Sequence, residues 1–230
     1  MKTYGQFCPL AQSTQLLCER WTLLIIREFI AGGQRFGDIQ KGLPQISPSL
    51  LSSRLKLLSE AGVIEKTGIK TYQLTEAGLA LRPVIELLGA WGHKWSRSNL
   101  GSSDLDAGLL MWDMRRSLDP AIFPKRTVIV QFEYFDAPKG SKDWWLVSSN
   151  GDVDLCLTDN DYDVDLLVKC SLKTMTAVWI CEITFNEAVK SKQIEVTGDK
   201  SLGKNLQEWL RTSPLSKLGT TETWPKLDWS

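Results

Sequence analysis

The stretch 47-SPSLLSSRLKLLSEAG-62 decides the fold of the first half of this 230-residue chain. Ser47 followed by proline is a typical helix start, because the serine side chain caps free backbone N–H groups and proline fits the first helical position. Leu51, Leu55 and Leu58 recur at helical spacing and predict a buried face. Gly62 is placed to end the helix. The stretch therefore predicts one amphipathic helix.

Small polar and cationic side chains occupy the face of this helix away from the leucines. At about 100° per residue, Ser49, Ser52, Ser53 and Lys56 project from that face, and Arg54 lies beside the leucine stripe. Such a face can approach closely and donate hydrogen bonds, as a helix in a DNA major groove must. An ordinary solvated helix face is the alternative interpretation.

The neighbouring segments predict a winged helix-turn-helix. Apolar residues at helical spacing predict one or two helices over residues 10–31 and a short helix over 36–43. After the central helix, residues 63–74 read as two short strands around a glycine-containing turn. This hairpin is the predicted wing, whose Lys66 and Lys70 can lie along DNA phosphates.

A longer helical stretch follows, which Thr75 is expected to cap and Pro83 to kink or divide. Its apolar residues have the spacing of paired helices. Such a stripe is either intramolecular core or a dimer seam, and the usual dimeric state of helix-turn-helix proteins favours the seam. The stripe consists of Ala77, Leu81, Val84, Leu88, Trp91 and Trp95.

Charge divides the chain into two halves, although 27 basic and 27 acidic residues give zero net charge. Residues 1–100 hold 12 basic and 7 acidic residues, and residues 101–230 hold 15 and 20. A basic half suits a polyanion and an acidic half would be repelled by one. A small, polar stretch near residues 96–106 reads as a linker. We therefore predict two domains, 1–100 and 104–230.

Several classes of protein are disfavoured by the composition. No apolar run approaches the roughly 20 residues of a membrane helix, and the polar N-terminus does not resemble a secretory signal. The five scattered cysteines have no C-x-x-C spacing, which disfavours a disulfide framework or zinc site and favours the reducing cytoplasm. No arrangement of acid, base or nucleophile indicates catalysis. We therefore expect a cytoplasmic protein that is not an enzyme and has neither metal nor cofactor.

Residues 4–97 resemble the HxlR-type winged helix regulators. The matching pieces, in family order, are YGQFCPLA (4–11), ERWTLLIIREF (19–29), RFGDIQKGLPQISPSLLSSRLKLLSEAGVIEK (35–66), YQLTEAG (72–78) and LRPVIELLGAWGHKW (81–95). The resemblance implies a homodimeric, DNA-binding transcription regulator. In that family the 47–61 helix enters the major groove, the 63–74 hairpin is the wing, and the first and last helices dimerise.

The resemblance and the helix face together give a set of residues expected to contact an operator in double-stranded DNA. These are Ser47, Ser49, Ser52, Ser53, Arg54, Lys56, Lys66, Lys70 and Arg35. The hairpin of this chain is shorter than the usual wing of the family, so fewer contacts are expected from the two wing lysines.

Cys8 occupies a position where several members of the family carry a cysteine that senses oxidants or electrophiles. A sensing thiol must be exposed and have a lowered pKa, and Cys8 lies just before a predicted helix start, where the helix dipole favours a thiolate. A small apolar filler is the alternative. Cys18 lies beside the apolar stripe and is expected to be buried.

The second half alternates polar and apolar residues in several strands and then shows helical spacing. The strands are predicted around 128–134, 144–148, 153–157, 164–168 and 194–196, and the helices over 172–181, 185–189 and 202–210. The expected fold is an α+β domain with an antiparallel-type sheet and helices on one face.

Residues 163–210 resemble part of the sterol-carrier-protein-like lipid-binding fold. If the resemblance holds, this domain encloses an apolar tunnel for a lipid or acyl chain. The residues expected to line the tunnel are Leu109, Met111, Trp112, Met175 and Trp179. Plain core is the alternative for each of them.

Three functions follow from these patterns. The first is a dimeric transcription regulator whose second domain binds an apolar effector. The second is a lipid or acyl-chain carrier that uses the winged helix only to dimerise. The third is a redox switch that acts through Cys8.

Overall fold

The computed structural model describes residues 3–96, 101, 104–158, 161 and 163–219. The chain forms two compact units, Met1–Leu88 and Gly89–Ser230. The division falls inside a helix, ahead of the polar stretch 96–106 where the sequence places the domain boundary. Most of that stretch lies outside the described residues.

The first unit has the elements of a winged helix-turn-helix in the predicted order. Its helices and strands are α1 (Pro9–Leu17), α2 (Thr22–Ile30), α3 (Phe36–Lys41), α4 (Pro48–Glu60), β1 (Ile64–Gly68), β2 (Thr71–Leu74), α5 (Glu76–Leu79) and the larger part of α6 (Arg82–Trp91). The two strands pair antiparallel, with Ile64 opposite Leu74. The predicted helices and hairpin are therefore present in the predicted order, although α3 ends at Lys41 and not at residue 43.

The core of the first unit lies where α2, α3 and α4 converge. Ile25 and Ile26 of α2, Ile39 of α3, and Leu51 and Leu58 of α4 are completely buried. Burying one such side chain stabilises a fold by about 1.5–3 kcal/mol. The leucine stripe read from the sequence therefore fixes the orientation of α4.

The long apolar stretch after the wing is divided, as Pro83 predicts. α5 ends at Leu79, and proline occupies the second residue of α6, where its missing N–H costs no helical hydrogen bond. Thr75 caps α5: its hydroxyl accepts from the Gly78 N–H at 3.2 Å and donates to the Gly62 carbonyl at 2.6 Å.

The second unit is an α+β domain with a five-stranded sheet. A π-helical turn (Gly92–Ser96) extends α6, and a 3-10 turn spans Pro120–Ile122. The other elements are α7 (Ala107–Ser117), β3 (Val128–Tyr134), β4 (Asp143–Ser149), β5 (Asp152–Cys156), β6 (Leu166–Cys170), α8 (Leu172–Trp179), α9 (Phe185–Lys190), β7 (Ile194–Gly198), α10 (Lys200–Trp209) and α11 (Pro214–Gly219).

The sheet is mixed, which corrects the prediction of an antiparallel-type sheet. The strand order is β5-β4-β3-β6-β7, and the central pair β3 and β6 runs parallel, with Phe132 opposite Val168. The other three pairs are antiparallel. Parallel neighbours need a crossover connection, and β4 and β5 form part of it, pairing outward from β3 before the chain returns to β6.

The helices of the second unit share one core cluster with a single face of the sheet. Val130 and Phe132 of β3, Leu146 of β4 and Val168 of β6 point to that face and are buried. The helices α7, α8, α9 and α10 all contribute buried residues to the same cluster. The cluster therefore agrees with the expectation of helices packed on one face.

Candidate nucleic-acid interface

Helix α4 is fixed at its start by a serine cap and along its length by leucines. The Ser47 hydroxyl accepts from the Leu50 N–H at 3.3 Å and lies 3.2 Å from the Ser49 hydroxyl. Leu51 and Leu55 are buried against the core. The helix is therefore held rigidly, and Ser47 has a structural role whether or not it also meets DNA.

The face of α4 opposite the leucines is exposed, as the helical spacing predicts. Ser49, Ser52, Ser53 and Lys56 all lie on the surface. The Lys56 ammonium is 3.7 Å from the Glu60 carboxylate, and both side chains are largely solvated. An exposed pair of this kind contributes little and can exchange one partner for a phosphate. The structure thus brings together a small, polar, cationic helix face.

Arg54 has closer and less exposed intramolecular partners than Lys56, the other basic residue of α4. Its guanidinium donates to the Glu19 carboxylate at 2.7 Å and to the Arg20 carbonyl at 3.1 Å. These bonds tie α4 to the turn between α1 and α2, and they occupy donors that a phosphate would otherwise use. A direct DNA contact of Arg54 remains a prediction.

The hairpin places its basic residues beside the start of α3. The Phe36 N–H donates to the Lys70 carbonyl at 3.0 Å, and Arg35 forms an isolated β-bridge with Thr71. Arg35, Lys66 and Lys70 are all exposed. The structure therefore positions Arg35 next to the Lys70 end of the hairpin, which the sequence alone did not show.

A buried ion pair supports this arrangement from inside and was not anticipated from the sequence. Arg27 donates to the fully buried Glu28 carboxylate at 2.6 Å and to the Gly42 carbonyl at 3.1 Å. A side chain at Gly42 would collide with that carboxylate. The pair thus links α2 to the turn after α3. The sequence feature that could have predicted this pair is Glu28, a glutamate among the apolar residues of α2.

An apolar surface lies on the first and last helices of the first unit. Phe7 is fully exposed just before α1, and Leu10 on α1 is 68% exposed. On α6, Val84, Leu87 and Leu88 are each more than 40% exposed. The sequence could not distinguish whether the apolar stripe is core or a dimer seam. Over this part of α6 the stripe faces solvent. Trp91 and Trp95, which belong to the second unit, are also exposed.

The cysteines of the first unit are accessible. Cys8 is exposed at the N-cap position of α1. Cys18, expected to be buried, is exposed just after the same helix, because α1 ends at Leu17 and turns its flank to solvent. The accessibility that a sensing thiol needs is therefore present at Cys8.

The five residues expected to line an apolar tunnel do not share one environment. Met111, Met175 and Trp179 are buried in the core cluster, whereas Leu109 and Trp112 are half-buried. The Tyr134 hydroxyl donates to the Met111 sulfur at 3.0 Å, and burial together with the nearby Cys170 raises the pKa of Tyr134. The lining of a tunnel by these five residues stays a prediction.

Two findings bear on membranes and metals. None of the described helices is long and apolar enough to cross a bilayer. In the described part of the chain, His, Cys, Asp and Glu side chains form no cluster of three or more that could hold a metal ion.

The winged helix-turn-helix part of the chain is similar to known sequences of one family. Residues 16–99 match the profile of the HxlR-like helix-turn-helix family. The HTH-type transcriptional regulator YvaP of Bacillus subtilis is 34% identical over 98 residues, which are 40% of this chain and 91% of YvaP. YodB, an HTH-type transcriptional regulator of the same organism, is 37% identical over 95 residues, 38% of this chain and 85% of YodB.

Two solved structures are similar to part of this chain. The reduced form of YodB from B. subtilis is similar over 41% of this chain and all of that chain, with 32% identity and a TM-score of 0.36. PA1607, described as a putative transcription factor, is similar over 43% of this chain and 72% of that chain, with 31% identity and a TM-score of 0.38.

Proposed function

The chain belongs to the HxlR-like helix-turn-helix family, and from that membership we propose that it is a homodimeric, sequence-specific DNA-binding regulator of transcription. The observation that carries the proposal is the exposed serine and lysine face of α4. Its serines are short enough to let the backbone come close to base edges, and Lys56 supplies a charge for phosphate.

The hairpin and α3 extend this surface with further positive charge. Arg35 and Lys70 lie where the hairpin meets α3, and Lys66 is exposed on the neighbouring strand β1, so a phosphate backbone at the hairpin would meet a second group of cations. Contacts of this kind set the position of the protein on DNA, whereas the α4 side chains read the sequence.

The exposed apolar residues of α1 and α6 support a homodimer. Large exposed apolar side chains at Phe7, Leu10 and Leu87 are costly in water and are typical of an interface. A two-fold pair of winged helices would present two copies of α4 to half-sites about one helical turn apart. The variant Leu87→Asp is expected to convert the dimer to monomer in analytical ultracentrifugation, whereas Glu76→Gln, an exposed change on α5, leaves the mass unchanged.

The DNA-binding proposal is tested with the full chain and a duplex enriched from a random-sequence library. Fluorescence anisotropy should give a tight complex with the enriched duplex and a much weaker one with a scrambled duplex. Lys56→Ala and Ser53→Ala should each weaken the specific complex by about fivefold or more, because each removes a contact to DNA.

Lys173→Ala is the matched control, since Lys173 is an exposed lysine on α8 of the second unit. It should leave the affinity unchanged. Equal affinity for enriched and scrambled duplexes, or equal effects of Lys56→Ala and Lys173→Ala, would contradict sequence reading by α4.

The second unit is proposed to bind an effector and so to control the DNA-binding dimer. An effector controls the dimer only by binding one of its conformations better than another. The lipid-carrier alternative is separated from this by native mass spectrometry of the purified full chain. Bound lipid together with no DNA affinity at low salt would favour the carrier.

Redox control through Cys8 is the remaining proposal, and the exposure of this thiol supports it. Oxidation or alkylation adds volume and polarity at the start of α1, beside the exposed Phe7 of the apolar surface. Hydrogen peroxide, which oxidises a single thiol to the sulfenic acid and releases water, should then weaken DNA binding by the wild-type protein and leave Cys8→Ser unaffected. The same response in both proteins would remove Cys8 from the account.

A further inference from the structure

A cavity of about 310 Å³ lies in the second unit, where the end of α8 and the end of α10 meet the start of α9. Its apolar floor consists of Val178, Phe185 and Leu210, which are buried. The volume lies at the lower end of the range for small-molecule sites, which run from about 300 to 1,000 Å³. The cavity therefore suits one aromatic ring or a short alkyl chain.

Carboxylates surround this apolar floor. Glu182, Glu187 and Glu208 line the cavity and are exposed at its rim. Arg211 also lines it, and its guanidinium lies 3.8 Å from the Asp119 carboxylate, which offsets its charge. The described lining thus includes three carboxylates and one guanidinium beside a hydrophobic floor, and Lys190 acts on Glu187 from the same helix.

Hydrogen bonds from Thr184 hold the Glu187 carboxylate in place and stabilise its ionised form. The Thr184 hydroxyl donates to the Glu187 carboxylate at 2.7 Å and the Thr184 N–H at 2.8 Å. These two hydrogen bonds lower the pKa of Glu187. One rim charge is thus fixed in position and persists at neutral pH.

We propose that this cavity binds an amphiphilic organic cation, with an aryl or alkyl body on the floor and an ammonium group among the rim carboxylates. A fatty acid is disfavoured because its own carboxylate would meet like charges. A bare metal ion is disfavoured because much of the lining is apolar and offers no oxygen ligand. The site takes its charge preference from the rim and its size limit from the floor.

The wall of the cavity continues directly into a contact with α6. After Leu210–Thr212, the Ser213 N–H donates to the Trp179 carbonyl at 2.8 Å, and α11 begins at Pro214. Leu215 of α11 packs on Gly89 of α6 so closely that a Cβ there would lie 2.9 Å from a Leu215 methyl carbon. A ligand that shifts this wall would thereby shift Leu215 against α6.

This regulatory consequence rests on the proposed function, whereas binding to the cavity does not. Helix α6 also carries Val84, Leu87 and Leu88, the exposed residues of the proposed dimer surface. Because Gly89 directly follows Leu88 in this helix, movement at Gly89 would reach the proposed dimer surface along α6 itself.

Isothermal titration calorimetry of the full chain tests the binding with three probes that differ only in their head group. They are 4-phenylbutylammonium, 4-phenylbutanol and 4-phenylbutyrate. The ammonium should bind at least about tenfold more tightly than the alcohol, since each partly solvated carboxylate contributes up to about fivefold, and the butyrate should bind most weakly. Equal affinities for the three probes, or no binding of the ammonium, would overturn the proposal.

Glu208→Gln locates the bound probe. It should weaken ammonium binding by about threefold to fivefold and leave alcohol binding unchanged. The matched control Glu76→Gln should change neither. An ammonium affinity that is unchanged in Glu208→Gln would overturn the assignment to this cavity.

Anisotropy measurements with the enriched duplex separate this inference from the proposed function. Saturating 4-phenylbutylammonium should change the DNA affinity of the wild-type protein, and Leu215→Ala should keep probe binding and lose that change. Calorimetry that fails while DNA binds would overturn the cavity proposal alone. Probe binding by a protein that binds no DNA would overturn the proposed function alone.

Discussion

The two units differ in where their exposed apolar side chains lie, although each unit has a core cluster of its own. In the described part of the chain, the second unit gathers its strands and helices around one core that includes Phe132, Tyr134 and Met111. The first unit is shorter, yet it leaves Tyr4, Phe7, Leu10, Leu79, Val84, Leu87 and Leu88 exposed on or beside its first and last helices. Exposed apolar side chains that lie together in this way are typical of a surface that meets a partner. The second unit also exposes large apolar side chains, but they are scattered over several elements: Trp91, Trp95, Ile122, Phe135, Leu157 and Val189. Most of those in the first unit lie on or beside its first and last helices, which supports the dimer proposed for that unit.

Alkylation of cysteines should show the largest difference between the units. Cys8 is exposed, whereas Cys170 lies in the second core, where burial and the nearby Asp136 raise its pKa to about 12. Because the thiolate is the reacting form, Cys170 should react with iodoacetamide at pH 8 at least about a thousandfold more slowly than an unperturbed thiol. Peptide mass spectrometry over time measures both sites. Comparable rates at Cys8 and Cys170 would contradict the closed packing of the second unit.

Salt should weaken DNA binding through the first unit by nearly as large a factor. If about six phosphates are neutralised, affinity for the enriched duplex should fall by about a thousandfold between 50 and 200 mM salt. Lys56→Ala should reduce the slope of log affinity against log salt by about one. Lys173→Ala, on the second unit, should leave the slope unchanged. An affinity that does not respond to salt would contradict the assignment of DNA to the basic unit.

Core truncations should destabilise one unit at a time. Leu55→Ala on α4 and Leu146→Ala on β4 remove side chains that are about 1% exposed, and each should cost about 3 kcal/mol of unfolding free energy. Urea unfolding followed by circular dichroism and by hydrogen exchange locates each loss. The expected result is that Leu55→Ala speeds exchange in the first unit and Leu146→Ala in the second. Loss of protection throughout the chain in both variants would show that the two cores unfold as one.

Helix caps should give the smallest difference. Ser47→Ala removes the cap of α4 and Thr184→Ala removes the capping box of α9, and each should cost about 1 kcal/mol. Only Ser47→Ala should also weaken DNA binding, because it frays the start of α4. Replacement of Ser47 by Asp restores a cap and should recover the stability. Equal effects of both alanine variants on DNA affinity would contradict the proposal that α4 contacts DNA.

The sequence predicted the first unit well because its signals are local. The Ser47-Pro48 start, the leucine stripe and Thr75 each act within one helix, and the structure confirms the helices they define. The exposure of Ser49, Ser53 and Lys56 follows from the same helical spacing.

The features that sequence reasoning missed depend on residues far apart in the chain. The parallel pairing of β3 with β6 was missed because alternation predicts strands and not their direction. The ion pair of Arg54 with Glu19 joins positions on different elements. The contact between Leu215 and Gly89 joins residues that are even farther apart in the sequence. The helices α7 and α11 were not predicted from the sequence.

Methylation interference on the enriched duplex tests the central claim most directly, because guanine N7 lies in the major groove. A homodimer that inserts two copies of α4 should be blocked by methylation at two clusters of guanines about one helical turn apart. A single cluster, or binding that is indifferent to N7 methylation, would contradict the account.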